Sequence, residues 1–286
     1  MQRIVFETLI MKGVVADMDD KKIIELYKEG KSLAALSRIS GLSTYKVRQL
    51  LVNNEITIRT QAQQNVYSNQ ERSKSVDETY FDKIDSPKKA WLLGFLAADG
   101  SISKDRNLIK IGLSSIDREI LEKIKKELKI ERCILDTETN KGFEISELNW
   151  SNANHKKQLA KFGIVPNKTY KPMQVPNFSQ DLQIAFIQGY FDGDGTFKDD
   201  GTTCRWEVCS YRPEILESIA DILNKFTNYN NIKFPYESKS RKNYWTLTYS
   251  TKEAFLILQE SYKICPLYLQ RKHNKFINWA QHNQRI

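Results

Sequence analysis

The sequence has few of the residues that build disulfide frameworks and structural metal sites. Its 286 residues include four cysteines and three histidines, and the cysteines lack the paired spacing of a zinc site. They are also too few for a disulfide scaffold, which favours a reducing cytosol. We therefore expect no structural metal, and we expect His155, His273 and His282 to lie at the surface rather than to bind a metal.

The sequence also lacks a long hydrophobic run. The longest one covers residues 90–98, whereas a membrane-spanning helix needs about 20 apolar residues. The first residues show no cationic stretch followed by an apolar stretch and a cleavage site, which is the pattern of a secretory signal. These absences predict a soluble protein with no membrane partner.

Positive charge is present in excess. The sequence has 44 Lys and Arg against 35 Asp and Glu, a formal net charge of +9 at pH 7. This excess predicts an acidic partner, and nucleic acid is the first candidate because phosphate neutralisation dominates such binding. A content of 40% hydrophobic and 28% charged residues is typical of a globular chain with one large or two modest domains.

Two apolar segments that end in Asp-Gly are the most informative feature. LLGFLAADGSI and FIQGYFDGDGTF carry Asp99 and Asp194 at equivalent positions, and each holds a glycine at the equivalent position inside its apolar run, Gly94 or Gly189. Each segment predicts a helix buried on all sides. A glycine costs about 1 kcal/mol relative to alanine in a helix, which is tolerable if another backbone comes close. We expect the two helices to pack through these glycines about a pseudo-twofold axis.

An Asp-Gly pair after a helix is, taken alone, usually just a turn, because glycine readily adopts the left-handed conformation there. Aspartate is nevertheless poorly placed at the negative end of a helix dipole. Two such ends brought together, with Asp99 and Asp194, would concentrate negative potential and attract a divalent ion. Oxygen ligands and water suit Mg²⁺.

Both segments resemble the LAGLIDADG motif, and the region from about residue 80 onward resembles a single-chain LAGLIDADG homing endonuclease. One copy departs from the pattern, because Ala97 stands where the second copy has Asp192. The resemblance implies a monomeric, site-specific enzyme that hydrolyses both strands of double-stranded DNA at a long recognition site. It implies Mg²⁺ (or Mn²⁺) bound by the catalytic residues Asp99 and Asp194.

The resemblance also implies a basic residue near each scissile phosphate. The stretches GIVPNKTYKP and YLQRKHNKF, each placed after the last helix of its half, supply Lys168 and Lys272 for this role. For either lysine, a simple phosphate contact or a solvated charge is an equally good interpretation. Enzymes of this kind are encoded by mobile introns or phage genomes, which implies a cytoplasmic protein, prokaryotic or phage-encoded, or an organellar one.

The predicted fold class is α+β with internal duplication. Two halves, 86–180 and 181–286, each read as α-β-β-α-β-α, and together they place two antiparallel sheets side by side along a DNA groove. The DNA-binding candidates of the sheets are basic, although a one-residue shift in register would reverse the exposed face. They are Lys104, Arg106, Lys110, Lys198, Arg205, Lys239, Arg241 and Lys242.

Residues 1–55 read as a small all-α helix-turn-helix domain, followed by a polar linker at 56–85. The third helix begins after Ser43, buries Val47, and resembles a recognition helix that reads the major groove. Its outward residues suit bases, phosphates and sugars. They are Thr44, Tyr45, Lys46, Arg48 and Gln49. A plain three-helix bundle with a solvated basic face is the alternative interpretation.

Other functions on the same scaffold remain open. The chain could be a non-cleaving DNA-binding regulator or an RNA-splicing maturase. The presence of both Asp99 and Asp194 favours cleavage, because a protein that only binds has no use for the pair. An enzyme embedded in an intein is disfavoured, since the sequence starts with Met1-Gln2 instead of a nucleophile and a helix-turn-helix occupies its N-terminal third.

Overall fold

The computed structural model describes residues 19–64, 66, 76–140, 142–228 and 232–286. The chain divides into two compact units, Met1–Lys74 and Ser75–Ile286. Of the predicted linker 56–85, residues 65 and 67–75 lie outside the described residues.

Among its described residues, the N-terminal unit contains three short helices that pack as a bundle, and the starts of these helices follow from local capping. Their bounds are α1 Asp20–Lys28, α2 Leu33–Ser40 and α3 Thr44–Asn53. Asp19, Ser32 and Ser43 each precede a helix, and their side-chain oxygens accept hydrogen bonds from backbone N–H groups of the first turn. These groups have no partner within the helix, so the caps stabilise each start. The buried core of the bundle is Ile23, Tyr27, Leu36, Val47 and Leu51.

The segment expected to be a linker is anchored at both ends: its start packs on the N-terminal bundle and its end packs on the larger unit. Ile56 and Ile58 contact the core of the bundle, and the backbone N–H of Arg59 donates to the Tyr27 hydroxyl over 2.7 Å. At the other end, Tyr80 and Phe81 are buried in the core of the larger unit. These stretches show no helical or strand period in the sequence because single anchors in irregular backbone hold them.

The larger unit contains two halves with the same order of elements. The first half consists of α4 Pro87–Ala98, β1 Gly100–Ile102, β2 Leu108–Ser114, α5 Arg118–Glu127, β3 Leu135–Glu138, β4 Glu144–Ser151 and α6 Ala153–Ala160. The second consists of α7 Gln180–Asp194, β5 Gly195–Asp199, β6 Cys204–Ser210, α8 Pro213–Thr227, β7 Tyr236–Glu237, β8 Trp245–Ser250, α9 Thr251–Ile264 and α10 Gln270–His282. Short 3-10 turns cover Ser115–Asp117 and Lys168–Tyr170.

Each half forms a four-stranded antiparallel sheet, with orders β1-β2-β4-β3 and β5-β6-β8-β7. The expected α-β-β-α-β-α order is therefore one strand short in each half. The strands missed are β3 and β7, whose residues are all exposed, so neither shows the alternation that marks a half-buried strand. The second half also has an additional helix, α10, in the stretch that was expected to follow its last helix.

Strand register leaves one face of each sheet open. In the second sheet, Trp206, Val208, Leu247 and Tyr249 are buried, and α8 and α9 pack on the central strands β6 and β8. In the first sheet, α5 packs on β2 and β4. One covered face and one open face are typical of antiparallel sheets.

None of the helices in the described parts of the chain combines the length and apolar character that a membrane-spanning helix needs.

Candidate active site and nucleic-acid interface

The motif helices α4 and α7 touch backbone to backbone at their glycines. A Cβ atom on Gly94 would lie 1.9 Å from the Phe186 carbonyl oxygen, and one on Gly189 would lie 1.9 Å from the Trp91 carbonyl oxygen. Both distances are far inside van der Waals contact, so no larger residue fits either position without moving the helices. The reciprocal contacts place the ends of the two helices next to each other.

A hydrogen bond to a buried carboxylate connects the two motif helices. The indole Nε1 of Trp91 donates to Asp192 Oδ2 over 2.8 Å, and Asp192 is 1% exposed. Burial raises the pKa of Asp192 to about 7, while Lys272 and the Trp91 hydrogen bond act in the opposite direction. The equivalent positions in the other copy are Phe186 and Ala97, which have no polar side chain.

Asp99 and Asp194 lie at the C-terminal ends of the two motif helices. Asp99 follows α4 directly, and Asp194 is the last residue of α7. A Cβ on Gly193 would lie 3.2 Å from Asp99 Oδ2, so the carboxylate of the first half is next to the helix end of the second. Loss of hydration, followed by the charge of Asp194, raises the pKa of Asp99 to about 6.

The pKa of Asp194 is also raised, chiefly by loss of hydration, and Lys168, Lys272 and the hydroxyl of Tyr190 oppose the shift. Asp194 is solvent-exposed by surface area, but it lines a cleft, where surrounding protein atoms displace much of its hydration. Both carboxylates are therefore crowded and near each other. The pair holds negative charge that the protein does not fully neutralise.

This pair fits a hard divalent cation. Within the described residues no group of three or more His, Cys, Asp and Glu side chains is placed to bind a metal, and the side-chain ligands available here are the carboxylates of Asp99 and Asp194. Mg²⁺ usually keeps several waters and binds through one or two carboxylates together with substrate phosphates. A cation between Asp99 and Asp194 would also relieve their mutual repulsion.

The two lysines cap the motif helices. Lys272 is 5% exposed, and its Nζ donates to the carbonyl oxygens of Phe191, Asp192 and Gly195 over 2.7, 2.7 and 2.6 Å. Lys168 donates to the carbonyl oxygen of Ala98. Cations are favourable at helix C-termini, where carbonyl groups lack partners.

Each lysine also faces the aspartate of the opposite half. Lys168 is the strongest cationic influence on the pKa of Asp194, and Lys272 is the strongest on Asp99. Burial lowers the pKa of Lys272 to about 8 and shifts that of Lys168 in the same direction. The structure thus brings together all four residues that the sequence assigned to catalysis, as two aspartate–lysine pairs.

A cleft of about 240 Å³ opens beside Asp194. Its walls come from both halves and combine cationic with aromatic side chains. The cations are Lys168, Lys171, Arg212 and Arg241, and the tyrosines are Tyr190, Tyr211 and Tyr244. The Cζ atom of Arg241 lies 4.8 Å from the ring centroid of Tyr211 and 4.6 Å from that of Tyr244, and Arg241 also donates a hydrogen bond to the Tyr211 hydroxyl.

A family model described as a LAGLIDADG-like domain matches the chain twice, at residues 86–163 and 181–262. The chain belongs to the LAGLIDADG family. Each matched segment includes one motif helix and one sheet, in agreement with the duplication inferred from the two Asp-Gly segments. Asp99 and Asp194 lie inside the LAGLIDADG matches, whereas Lys168 and Lys272 lie just beyond them.

Solved LAGLIDADG proteins are among the structures similar to this chain. The meganuclease I-AabMI, bound to uncleaved DNA, is 13% identical with a TM-score of 0.44, covering 70% of this chain and 91% of its own. The homing endonuclease I-WcaI, bound to its DNA recognition sequence, is 14% identical with a TM-score of 0.46, covering 70% and 91%. WhiA from Thermatoga maritima is 19% identical with a TM-score of 0.46, covering 73% and 66%.

A curated DNA polymerase from Acanthamoeba polyphaga mimivirus is 29% identical to this LAGLIDADG chain over 189 residues. The match covers 60% of this chain and 10% of the polymerase. The chain thus spans about a tenth of the length of the curated relative it matches.

The predicted DNA-binding residues of the LAGLIDADG region are placed in two kinds of location. Lys110, Lys198 and Arg205 point to the open faces of the sheets, and Lys198 lies opposite Arg205. Lys110 pairs with Glu147 and Lys198 with Glu207. The remaining five are in loops: Lys104 and Arg106 connect β1 to β2, and Lys239, Arg241 and Lys242 connect β7 to β8.

The predicted recognition residues of the N-terminal unit lie along α3. Thr44, Tyr45, Lys46, Arg48 and Gln49 are all exposed, and Tyr45 is 70% exposed. The opposite side of α3 packs into the bundle through Val47 and Leu51.

The expectation that all three histidines lie at the surface is wrong for His155. This residue is fully buried, accepts a hydrogen bond from Trp150 Nε1 at 3.1 Å, and contacts the Asp77 carbonyl oxygen through Nε2 at 2.7 Å. It joins α6 to the chain that precedes α4. Trp150 and Trp206 are buried and Trp245 packs against the core.

Sequence reasoning predicted Arg241 but missed Tyr211, Arg212 and Tyr244 of the cleft. Tyr211, Arg212 and Tyr244 lie in connections between elements, and no spacing in the sequence links them to Lys168 or Asp194. A surplus of basic residues in the connection between β7 and β8 was visible, but its aromatic neighbours were not recognisable as partners.

Proposed function

We propose that the chain is a site-specific endonuclease that hydrolyses both strands of double-stranded DNA with divalent metal bound by Asp99 and Asp194. The observation that carries the proposal is the meeting of two aspartates from two duplicated helices, each beside a lysine. A single Asp-Gly turn has a structural explanation, but the reciprocal Gly94 and Gly189 contacts leave two destabilised carboxylates side by side. Membership of the LAGLIDADG family supports the same chemistry.

The metal, Mg²⁺ or Mn²⁺, would lower the pKa of a bound water and stabilise the charge that develops on the phosphate. Asp99 and Asp194, which lie at the ends of the two motif helices, would hold the metal. Lys168 lies beside Asp194 with its ammonium at the wall of the cleft, where it stabilises a phosphate oxygen. Lys272 holds the carbonyl groups at the end of α7 and so keeps Asp194 in place.

DNA binding is attributed to the open sheet faces and to the N-terminal unit. Lys110, Lys198 and Arg205 lie on the open faces, and the net charge of +9 suits neutralisation of many phosphates. The exposed residues of α3 suit contacts with bases in a neighbouring part of a long site. We infer a monomer with internal pseudo-twofold symmetry, encoded by a mobile intron or a phage and active in the cytoplasm or an organelle.

The test is a cleavage assay on a plasmid that carries the insertion-site region of the protein's own gene. We expect linear product with Mg²⁺ and none with EDTA. Asp99→Asn and Asp194→Asn should each reduce the rate by about 10³-fold or more, since each removes a metal ligand. Asp221→Asn makes the same chemical change on the exposed surface of α8 and should leave the rate unaltered.

Two outcomes would contradict the proposal. Full cleavage by both aspartate variants would show that Asp99 and Asp194 are not the metal ligands. Retarded but intact plasmid in Mg²⁺ as well as in EDTA would instead identify a DNA-binding protein without nuclease activity, such as a regulator, and an RNA target would identify a maturase.

A further inference from the structure

We propose that the two half-sites are unequal and that the DNA strand bound in the cleft beside Asp194 is cut first. The Asp194 half-site consists of Asp194, Lys168 and Arg241, and the Asp99 half-site consists of Asp99 and Lys272. The inference rests on the proposed endonuclease function. It assigns Arg241 as the residue that determines which strand is cut first, with Tyr211 and Tyr244 as its positioning residues.

The two lysines differ in the N–H groups they can offer to a phosphate. An ammonium group has three N–H donors. Lys272 uses all three on the carbonyl oxygens of Phe191, Asp192 and Gly195, and the side chain is buried. Lys168 is half-buried at the wall of the cleft and donates to the Ala98 carbonyl oxygen. It therefore keeps donors for a substrate, whereas Lys272 must first break a contact with α7.

Arg241 is held in place before any substrate binds. Its guanidinium lies beside the rings of Tyr211 and Tyr244, at 4.8 and 4.6 Å from their centroids, and the two rings contact each other edge to face. Arginine stacks well on aromatic faces, and its planar fork presents several donors to a phosphate. A side chain that is already ordered loses little conformational entropy on binding. The cleft thus offers a preformed phosphate contact within the same wall as Lys168 and Asp194.

The other half lacks this pair of rings. Matching the strand pairs of the two sheets puts Ser114 at the position of Tyr211 and Ile145 at the position of Tyr244. Neither side chain can stack on a guanidinium. Among the described residues of the first half, no tyrosine pair of this kind holds a cation at the corresponding place.

An arginine that acts on Asp99 is paired through its Nε with another carboxylate of the protein. Arg271 contributes to the electrostatic surroundings of Asp99, but its Nε lies 3.0 and 2.8 Å from the two carboxylate oxygens of Asp117. Asp117 is 7% exposed. Removing Arg271 from it would leave a buried carboxylate without its partner, which is costly.

A phosphate in the Asp194 half-site therefore meets one fixed arginine and one lysine with donors to spare. Hydrogen bonds from charged donors to phosphate are about twice as strong as neutral ones. A phosphate in the Asp99 half-site meets a lysine whose three N–H donors are used by carbonyl oxygens and an arginine whose Nε is used by Asp117. We expect the strand in the cleft to be cut at least about tenfold faster than the other, from one extra charge-assisted contact.

The experiment uses the full chain and a duplex with its target, labelled differently on each strand, together with supercoiled plasmid. The wild type should accumulate nicked circles, with one strand cut about tenfold faster. Arg241→Ala should slow that strand by about tenfold or more and leave the other strand unchanged. Lys168→Met should slow the same strand, which assigns it to the Asp194 half-site.

Matched variants separate this role from a structural one. Arg241→Lys keeps the charge and should restore part of the lost rate. Tyr244→Leu removes a positioning ring and should slow only the first-cut strand, with no further loss when combined with Arg241→Ala. Lys225→Ala removes one positive charge from α8, on the covered side of the sheet, and should change neither strand.

Equal cleavage of the two strands by the wild type would overturn the inference and leave the endonuclease intact. An Arg241→Ala variant that slows both strands alike would do the same, since Arg241 would then act only in general DNA binding. Absence of any product from the wild type in Mg²⁺ would overturn the proposed function, and the inference with it.

Discussion

The two halves of the LAGLIDADG region share their backbone plan but differ in the side chains at their common interface. A Cβ atom added to Gly94 or to Gly189 would lie at the same distance, 1.9 Å, from a backbone oxygen of the opposite helix. One turn away, the second half has Asp192 bonded to Trp91, where the symmetric pair is Ala97 with Phe186. The duplicated halves are thus symmetric where their backbones touch. At the neighbouring side chains they differ, as the two subunits of a heterodimer do.

One added methyl group at Gly94 tests the symmetric contact between the two motif helices. Gly94→Ala should lower the free energy of unfolding by on the order of 4 kcal/mol, because the new Cβ collides with backbone that cannot rotate away. Gly112→Ala is the control: a Cβ there meets nothing within 4 Å, and we expect a change below about 1 kcal/mol. Denaturant unfolding would measure both, and similar losses would show that the helices are not in close contact.

The asymmetric pair, Asp192 with Trp91, should make the free energy of unfolding depend on pH. The pKa of Asp192 is about 7 in the folded protein, above the value of about 4 for an unfolded chain. The folded state therefore holds more protons between these pH values, and stability falls as the pH rises through this interval. Asp192→Asn removes the effect.

We expect Asp192→Asn to gain stability relative to the wild type between pH 4 and pH 8 by on the order of 3 kcal/mol. Unfolding in EDTA at a series of pH values would measure the gain. The raised pKa of Asp99 is common to both proteins and cancels in the difference. Asp221→Asn should show no such trend, and a flat difference for Asp192→Asn would mean that its carboxylate is well stabilised in the folded state.

The smallest effect we predict comes from making the Trp91 and Asp192 pair identical to its equivalent, Phe186 and Ala97. Trp91→Phe leaves Asp192 without its donor, and Asp192→Ala leaves the indole N–H without its acceptor, so each should cost about 1–3 kcal/mol. The double variant reproduces the Phe186 and Ala97 pair and should recover about 1–2 kcal/mol of the summed loss. A double-mutant cycle measured by unfolding gives this coupling, and strict additivity would contradict the contact.

The features predicted correctly are those that nearby residues determine. The apolar motif helices follow from an all-round hydrophobic run, and the start of α3 follows from the cap Ser43. The duplicated sheets follow from the repeated order of patterns. In each case the cause lies within one turn of helix or one strand.

The features missed depend on contacts between distant parts of the chain. His155 is polar, and nothing in its surroundings in sequence indicates that Trp150 and the Asp77 carbonyl oxygen satisfy it inside the core. Lys272 was predicted to lie near a scissile phosphate or to be a solvated charge, and its sequence does not indicate that the carbonyl oxygens of Phe191, Asp192 and Gly195 accept its three N–H donors. The rings around Arg241 come from two separate connections and become neighbours only when β6 pairs with β8.

The two strands that no pattern revealed have a consequence of their own. β3 and β7 are the outer strands at one side of each sheet, and all of their residues are exposed. Outer strands invite pairing with strands of other molecules, and shortness and charge discourage it. β3 has four residues with Asp136 and Glu138 among them, and β7 has two, one of them Glu237. A protein with two open sheets can thereby remain dispersed at high concentration instead of growing into edge-to-edge aggregates.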